Sequence, residues 1–377
     1  MRNKQGRRAA SPRPRLIVAS SERSADMLYA TGFFAPDAFI FLEKAGKRTI
    51  VLSDLEIDRG RRQAQVDEIV SYSEISARLE SGAGLADVLR QFLKERRVRR
   101  ALTPADFPLG LASRLAESVE LTPADGLFWK ERERKSAAET ARLRRAEKIA
   151  ESGMARAMEV LAAAGIGKAN LLQWGGRRLT SEILRTEIDS AVLRAGGQPA
   201  GTIVAGGAQA CDPHERGFGP LRANSLIIVD IFPRDASSGF FGDLTRTVVR
   251  GRASDAQRGL WETVREGQAL ALDAMRPGAD GGKLQEKVKQ FFTDRGYPTE
   301  KRGGRWAGFF HGLGHGLGLE IHEEPRVAKT MFTQGQVLTV EPGLYYRGLG
   351  GARLEDVVAI TAGGIRMLSG FPKKLEI

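Results

Sequence analysis

The chain has 377 residues, 58 Lys and Arg against 46 Asp and Glu, a formal charge of +12 and a hydrophobic fraction of 42%. That length predicts two domains with ample core for each, and no run of eighteen apolar residues exists, so no membrane contact through a spanning helix is expected. The single cysteine, Cys211, excludes an intramolecular disulfide and points to a reducing, cytoplasmic setting.

From Met1 to Arg15 the chain is basic and lacks an apolar h-region, so residues 1–15 read as a short disordered tail and not as a secretory signal. Between 16 and about 125, short apolar runs alternate with helical patterns. Residues 16–19, 38–42, 49–52 and 68–70 read as strands, and Ala86 to Leu93 has helical spacing. The region reads as an α/β domain without a chemical constellation of its own, ending near Phe128-Trp129-Lys130. A long charged helix is expected from about Ala137 to Ala163, closed by Gly165-Ile166-Gly167. This stretch mixes both signs of charge, and no basic stripe interleaved with aromatics appears, so nucleic-acid binding is not expected. No repeat at solenoid periods is present.

Further along, Leu226-Ile227-Ile228-Val229-Asp230-Ile231-Phe232 is an apolar strand interrupted by one carboxylate, and Phe240 to Val249 reads as a second strand carrying Asp243. Turn residues 233–239 join them into a hairpin that can set the two aspartates across from one another. Val337 to Val340 is a strand ending at Glu341, and Glu355 opens another apolar run. The chain has four histidines, and three of them, His311, His315 and His322, fall within a Gly-rich segment at positions 311–322. Two aspartates, two glutamates and an imidazole embedded in apolar sequence demand cations, because burying four carboxylates alone is prohibitive. Oxygen-rich ligation with one imidazole suits divalent Mn, Co, Fe or Zn, and so many potentially bridging groups suggest two ions.

In order and wording these segments resemble the pita-bread-fold metallopeptidases: prolidase, aminopeptidase P, methionine aminopeptidase and creatinase. The carriers are Thr245-Arg246-Thr247 after Asp243, the Gly-His-Gly around His315, Val340-Glu341-Pro342-Gly343 and Arg353-Leu354-Glu355-Asp356. The resemblance implies an α+β chain, with a C-terminal pita-bread (creatinase/aminopeptidase) catalytic domain over 136–377 preceded by a smaller α/β creatinase-like domain over 16–130. It implies Asp230, Asp243, His315, Glu341 and Glu355 as ligands of two divalent ions, Mn or Co first and Zn or Fe as alternatives. Glu341 doubles as proton acceptor, His311 and His322 hydrogen-bond the oxyanion or the substrate carbonyl, and His214 sits on the leaving-group side. Arg353 is expected to orient Glu355 or Asp243.

The implied substrate is a peptide with a free α-amine, cut after its first residue, often before proline, by a homodimer. The N-terminal domain lowers the methionine aminopeptidase assignment, since those enzymes lack it; creatinase shares the fold but lacks the ligands kept here. Phe232-Pro233 stands where the family commonly has a glycine, which predicts an altered pocket beside Asp230. Another hydrolase or lyase on the same scaffold and a catalytically inactive binding homologue are the alternative readings.

Overall fold

Alternate residues along the first strands turn to opposite faces, and both faces are buried. The structure is a computed structural model that describes residues 13–377, so the expected tail lies, up to position 12, outside the described residues. The first of two units extends to Lys130. Its six-stranded sheet runs, edge to edge, Glu68–Ser71, Lys47–Leu52, Phe39–Lys44, Arg15–Ala19, Arg100–Thr103 and Glu120–Pro123. Leu16, Val18, Ile40, Leu42 and Val51 point to one side, where the helix Leu85–Glu95 lays down Val88, Leu89, Phe92 and Leu93. Ile17, Phe39, Phe41, Ile50 and Leu52 point to the other, against Met27, Phe33, Phe128 and Trp129. Period-2 strands apolar on both faces require cover on both. Truncating a side chain such as Phe92 to Ala would cost about 3–5 kcal/mol. At the tight turn between Phe39–Lys44 and Lys47–Leu52, Ala45 and Gly46 both take positive φ (52° and 80°), which lets the turn match the twist of its strands.

The second unit runs from Glu131 to Ile377. Its first helix, Ala137–Ala163, starts at Ser136, whose side chain accepts the Glu139 N–H while Glu139 returns the bond. That capping box satisfies two orphan donors. Leu143, Ala146, Glu147, Ala150, Met154, Ala157 and Leu161 form the buried stripe, at helical spacing. A Cβ on Gly153 would press on Val192, so the glycine lets helix Ser181–Arg194 approach closely. This helix pair shares a core with the sheet Ile203–Gly206, Leu226–Ile231 and Leu244–Val249. A second pair, Asp255–Ala274 and Gly281–Asp294, shares another core with the strands Val337–Val340 and Asp356–Thr361 and with the hairpin Gly343–Tyr346/Gly350–Arg353. The five-stranded sheet here has the order Glu323–Arg326, His315–Gly316, Val337–Val340, Asp356–Thr361, Gly364–Met367. Among the described residues no helix is long and apolar enough to cross a membrane.

Candidate metal centre

Asp230 lies on one strand of an antiparallel pair and Asp243 immediately before the other, and the two are not opposite one another. In the register, Asp230 faces Thr245 and Ile231 faces Leu244. The second strand begins at Leu244, not at Phe240 as the apolar pattern predicts. The regular ladder is interrupted at Asp243, whose N–H is spent on Glu147 Oε1 (2.7 Å). Beyond it the hairpin keeps the same register, with Gly242 donating to Pro233 O (2.9 Å) and Phe241 bridging Arg234, while the Phe241 N–H donates to Gly318 O (2.8 Å). Asp243 thus sits two positions before the residue paired with Asp230, diagonal to it on the same face.

The two glutamates come from neighbouring strand ends. Val340 pairs with Asp356, so Glu341 and Glu355 project from adjoining ends of their strands. Glu341 N–H is held by Leu313 O (2.9 Å), and Glu355 N–H by Thr245 O (3.1 Å). His315 lies between, its N–H donating to Thr339 Oγ1 at 3.0 Å. Its Nδ1 is 3.0 Å from Gly316 O. A carbonyl only accepts, so Nδ1 carries the proton and Nε2 presents a lone pair. That lone pair faces Glu341 Oε1 at 3.3 Å and Asp243 Oδ2 at 3.7 Å. Ligand atoms of Asp243, His315 and Glu355 all lie within 4.8 Å of one another.

The protonation of these groups follows from burial. Desolvation, then the charges of Glu355, Asp230 and Glu341, push Asp243 well above the usual carboxylate range. Desolvation, then Glu341 and Asp230, does the same to Glu355. Burial also pushes Glu341 up to about 7, and brings His315 down to about 3. Lone pairs facing carboxylate oxygens repel unless a proton or a cation lies between them. Asp230 Oδ1 is buried without a hydrogen-bond partner, an arrangement that is costly unless something else binds that oxygen. The oxygen-rich donor set with one available imidazole nitrogen therefore fits divalent metal.

Arg353 departs from expectation. Its Nη2 donates to Asp230 Oδ2 at 2.6 Å, and it reaches Glu355 only through Thr245, which accepts from Arg353 Nε (3.4 Å) and donates to Glu355 Oε2 (2.7 Å). Strand register decides this, since it sets Asp230 against Thr245. His311 departs as well. Its Nδ1 is 2.9 Å from Gly312 O and its Nε2 2.9 Å from Tyr345 OH, so both ring nitrogens are engaged and no N–H is left for a substrate oxygen. Arg353 Nη1 donates to the same Tyr345 hydroxyl at 3.1 Å, which leaves that O–H to donate to His311.

His322 is exposed beside His315, with ring centroids 4.5 Å apart, and no hydrogen bond among the described residues engages its ring. His214 is also exposed, and its charge acts on both His311 and His322. Sequence reading missed Tyr345, Glu147 and Arg326, whose charge acts on His315, His322 and Glu341. Tyr345 is adjacent to Tyr346 in one apolar run, and nothing local tells which hydroxyl turns inward.

A buried acid–imidazole centre built on these sheets, in a chain that also carries a separate α/β unit earlier in its sequence, defines a metallohydrolase-type protein of two units. The chain belongs to metallopeptidase family M24, whose model matches residues 141–362, and the creatinase/prolidase N-terminal domain model matches residues 15–134. The fold is the pita-bread fold preceded by a creatinase-type unit, and the family implies divalent metal. The chain is 35% identical over 178 residues to a Xaa-Pro dipeptidase of Pyrococcus furiosus, covering 46% of this chain and 48% of that one. It is 32% identical over 180 residues to a Xaa-Pro dipeptidase of Lactobacillus delbrueckii, covering 47% and 46%. It thus spans about half the length of these relatives. Among solved structures it is similar to a Xaa-Pro dipeptidase from Bacillus anthracis (TM-score 0.80, 23% identity, 97% of this chain and 95% of that one). It is also similar to an aminopeptidase P from E. coli (TM-score 0.76, 24% identity, 96% and 92%). At these identities the structures speak for the fold alone.

Proposed function

We propose that this chain is a metal-dependent peptidase that cleaves the first peptide bond of peptides with a free α-amine, with proline at the second position preferred. The observation that carries this reading is the gathering of buried Asp243 and Glu355 and half-buried Glu341 at His315, none of the three acids joined to a Lys or Arg ion pair among the described residues. Asp230, Asp243, His315, Glu341 and Glu355 would hold two divalent ions, Mn or Co ahead of Zn or Fe. When bound, the ions supply Lewis acidity and lower the pKa of a water.

The rest is done by the chain's own side chains. Glu341, beside His315 Nε2, accepts the proton of the attacking water. His322 offers its ring to the substrate carbonyl oxygen as negative charge builds there, worth ~3 kcal/mol per donor. His214 lies on the leaving-group side. His311 does not take the oxyanion role, because both its nitrogens are occupied; it is placed instead with Tyr345 and Arg353 as support for Asp230. A bond before proline is a tertiary amide with no N–H, so recognition must rest on ring shape and on carbonyl activation. In this reading residues 16–130 form the creatinase-like domain and 136–377 the catalytic domain of a cytoplasmic homodimer, the compartment being supported by the lone, buried Cys211.

A peptide panel tests it. Metal-loaded protein should turn over Xaa-Pro peptides and lose that turnover when the amine is acetylated. Faster cleavage of Met-Ala peptides would overturn the proline preference alone, and no cleavage of any peptide would overturn the peptidase reading.

A further inference from the structure

We propose that Glu323, gripped by Arg132 and Lys135, is the positioning residue that sets where His322 stands in the centre. The proposal rests on the peptidase reading above.

His322 lies in a bend just before the strand Glu323–Arg326, and no hydrogen bond among the described residues holds its ring. Apart from its edge contact with the His315 ring, what fixes it acts through the backbone. The next residue, Glu323, is 3% exposed, and Arg132 and Lys135 are 4% and 7% exposed. The two oxygens of Glu323 are divided between partners. Oε1 meets Arg132 Nη2 at 2.5 Å and accepts the Glu320 N–H at 3.1 Å, while Oε2 meets Lys135 Nζ at 2.9 Å. Arg132 Nη2 also holds Glu320 Oε2 at 2.6 Å, and Lys135 donates to Arg132 O at 2.7 Å.

One buried carboxylate therefore ties both ends of the 320–323 turn to the short segment ahead of the long helix. Gly318 has no room for a side chain, because a Cβ there would fall on that carboxylate. Gly318 O is held by the Phe241 N–H at 2.8 Å, and Gly316 pairs with Glu323 across the strands. The turn is fixed from three sides while its one exposed imidazole is left for other work. An apolar plug would hold a turn together without the desolvation cost of buried charge. Short charge-assisted bonds add direction, which an apolar contact lacks. Direction matters here, since a misplacement of about 1 Å can cost on the order of a hundredfold in rate.

The test is a double-mutant cycle on the full, metal-loaded chain with the peptide Ala-Pro-Ala. Glu323→Gln should lower kcat on the order of tenfold to a hundredfold, with metal content unchanged and KM moving less than kcat. In a His322→Ala background the same substitution should change kcat less than about twofold, as expected of two residues acting through one group. A crystal structure of Glu323→Gln should show the His322 ring displaced by about 1 Å or more. An unchanged kcat in Glu323→Gln, or an equal fold-loss in both backgrounds, overturns the proposal while the peptidase reading stands. Wild-type kinetics in His322→Ala would remove the role of His322 itself and the proposal with it. Should Glu323→Gln fail to fold, Lys135→Met, which keeps the Arg132 pair, goes through the same cycle with the same outcomes deciding.

Discussion

Among the described residues up to Lys130, the polar side chains withdrawn from solvent are all hydroxyls: Ser21, Thr31, Thr49, Ser71 and Thr103. From Glu131 onward they include Glu147, Asp230, Asp243, Arg246, Glu323, Arg353, Glu355 and Asp356. A hydroxyl satisfies itself locally, as Thr31 does on Met27 O at 2.8 Å. A buried carboxylate needs donors or a cation. The second unit provides them in two ways. Glu323 is matched by Arg132 and Lys135, and Asp356 by Arg246 at 2.7 Å. Asp243, Glu341 and Glu355 instead crowd one imidazole and one another. Glu323 and Asp356 are neutralised from within the chain; in the centre Asp230 has Arg353 at 2.6 Å, while Asp243, Glu341 and Glu355 are left short of positive charge, which metal can supply.

The sharpest way to break this contrast is at the centre. Exhaustive chelation, or Asp243→Ala, is expected to cost more activity than the ~100-fold typical of lost outer partners, with metal content falling in step. Elemental analysis alongside turnover checks it, and full activity in metal-free protein would show that the crowded acids need no cation.

Next comes an internally neutralised acid. Arg246 donates to Asp356 Oδ1 at 2.7 Å, to Glu355 O at 2.6 Å and to Thr245 O at 2.9 Å, all buried. Arg246→Met leaves Lys373 Nζ, 2.6 Å from Oδ2, as the remaining cation on that carboxylate and strips the buried Glu355 and Thr245 carbonyls of their donor, and should cost about 3 kcal/mol, read from urea unfolding. A loss within experimental error would dissolve the distinction between the two kinds of acid.

A smaller effect appears on titration. Burial works to raise the Glu323 carboxyl, but Lys135 and Arg132 outweigh it and hold the group below the ordinary range. A folded pKa below the unfolded one means stability that is fully present above the unfolded value, about 4.3, and lost as pH falls through the folded value. The gap in urea midpoint between wild type and Glu323→Gln should hold steady at neutral pH and narrow below about 4. A gap that widens as pH falls would refute the pairing. The smallest change belongs to the hydroxyl-only unit, where Thr49 Oγ1 donates to Glu68 Oε2 at 3.2 Å. Thr49→Val should cost ~1 kcal/mol, and a loss as large as that of Arg246→Met would erase the difference between the two units.

Local signals carry far along this chain. Capping by Ser136 and Glu139 and the glycines after Ala164 are enough to bound the helix 137–163. Short apolar runs are enough to find four of the six strands of the first unit, because strands buried on both faces read as continuous apolar sequence; Arg100–Thr103 and Glu120–Pro123, each opening on a charged residue, do not stand out that way. Of the acids and histidines singled out, the fold draws Asp243, Glu341, Glu355 and His322 to His315.

Partners are another matter. Arg353 meets Asp230, 123 positions away, and Tyr345 meets His311, 34 away. Those pairings follow from strand register, and from which face each ring or guanidinium finds when strands from distant parts of the chain close together. The late start of the strand at Leu244 has the same origin: Asp243 gives its N–H to a helix glutamate 96 positions earlier. The sequence by itself determined the elements and the inventory of chemically able side chains, because both follow from short-range periodicity and residue type. Only the tertiary structure decided which acids are neutralised by arginine and lysine and which await metal, because that depends on distances no local pattern encodes.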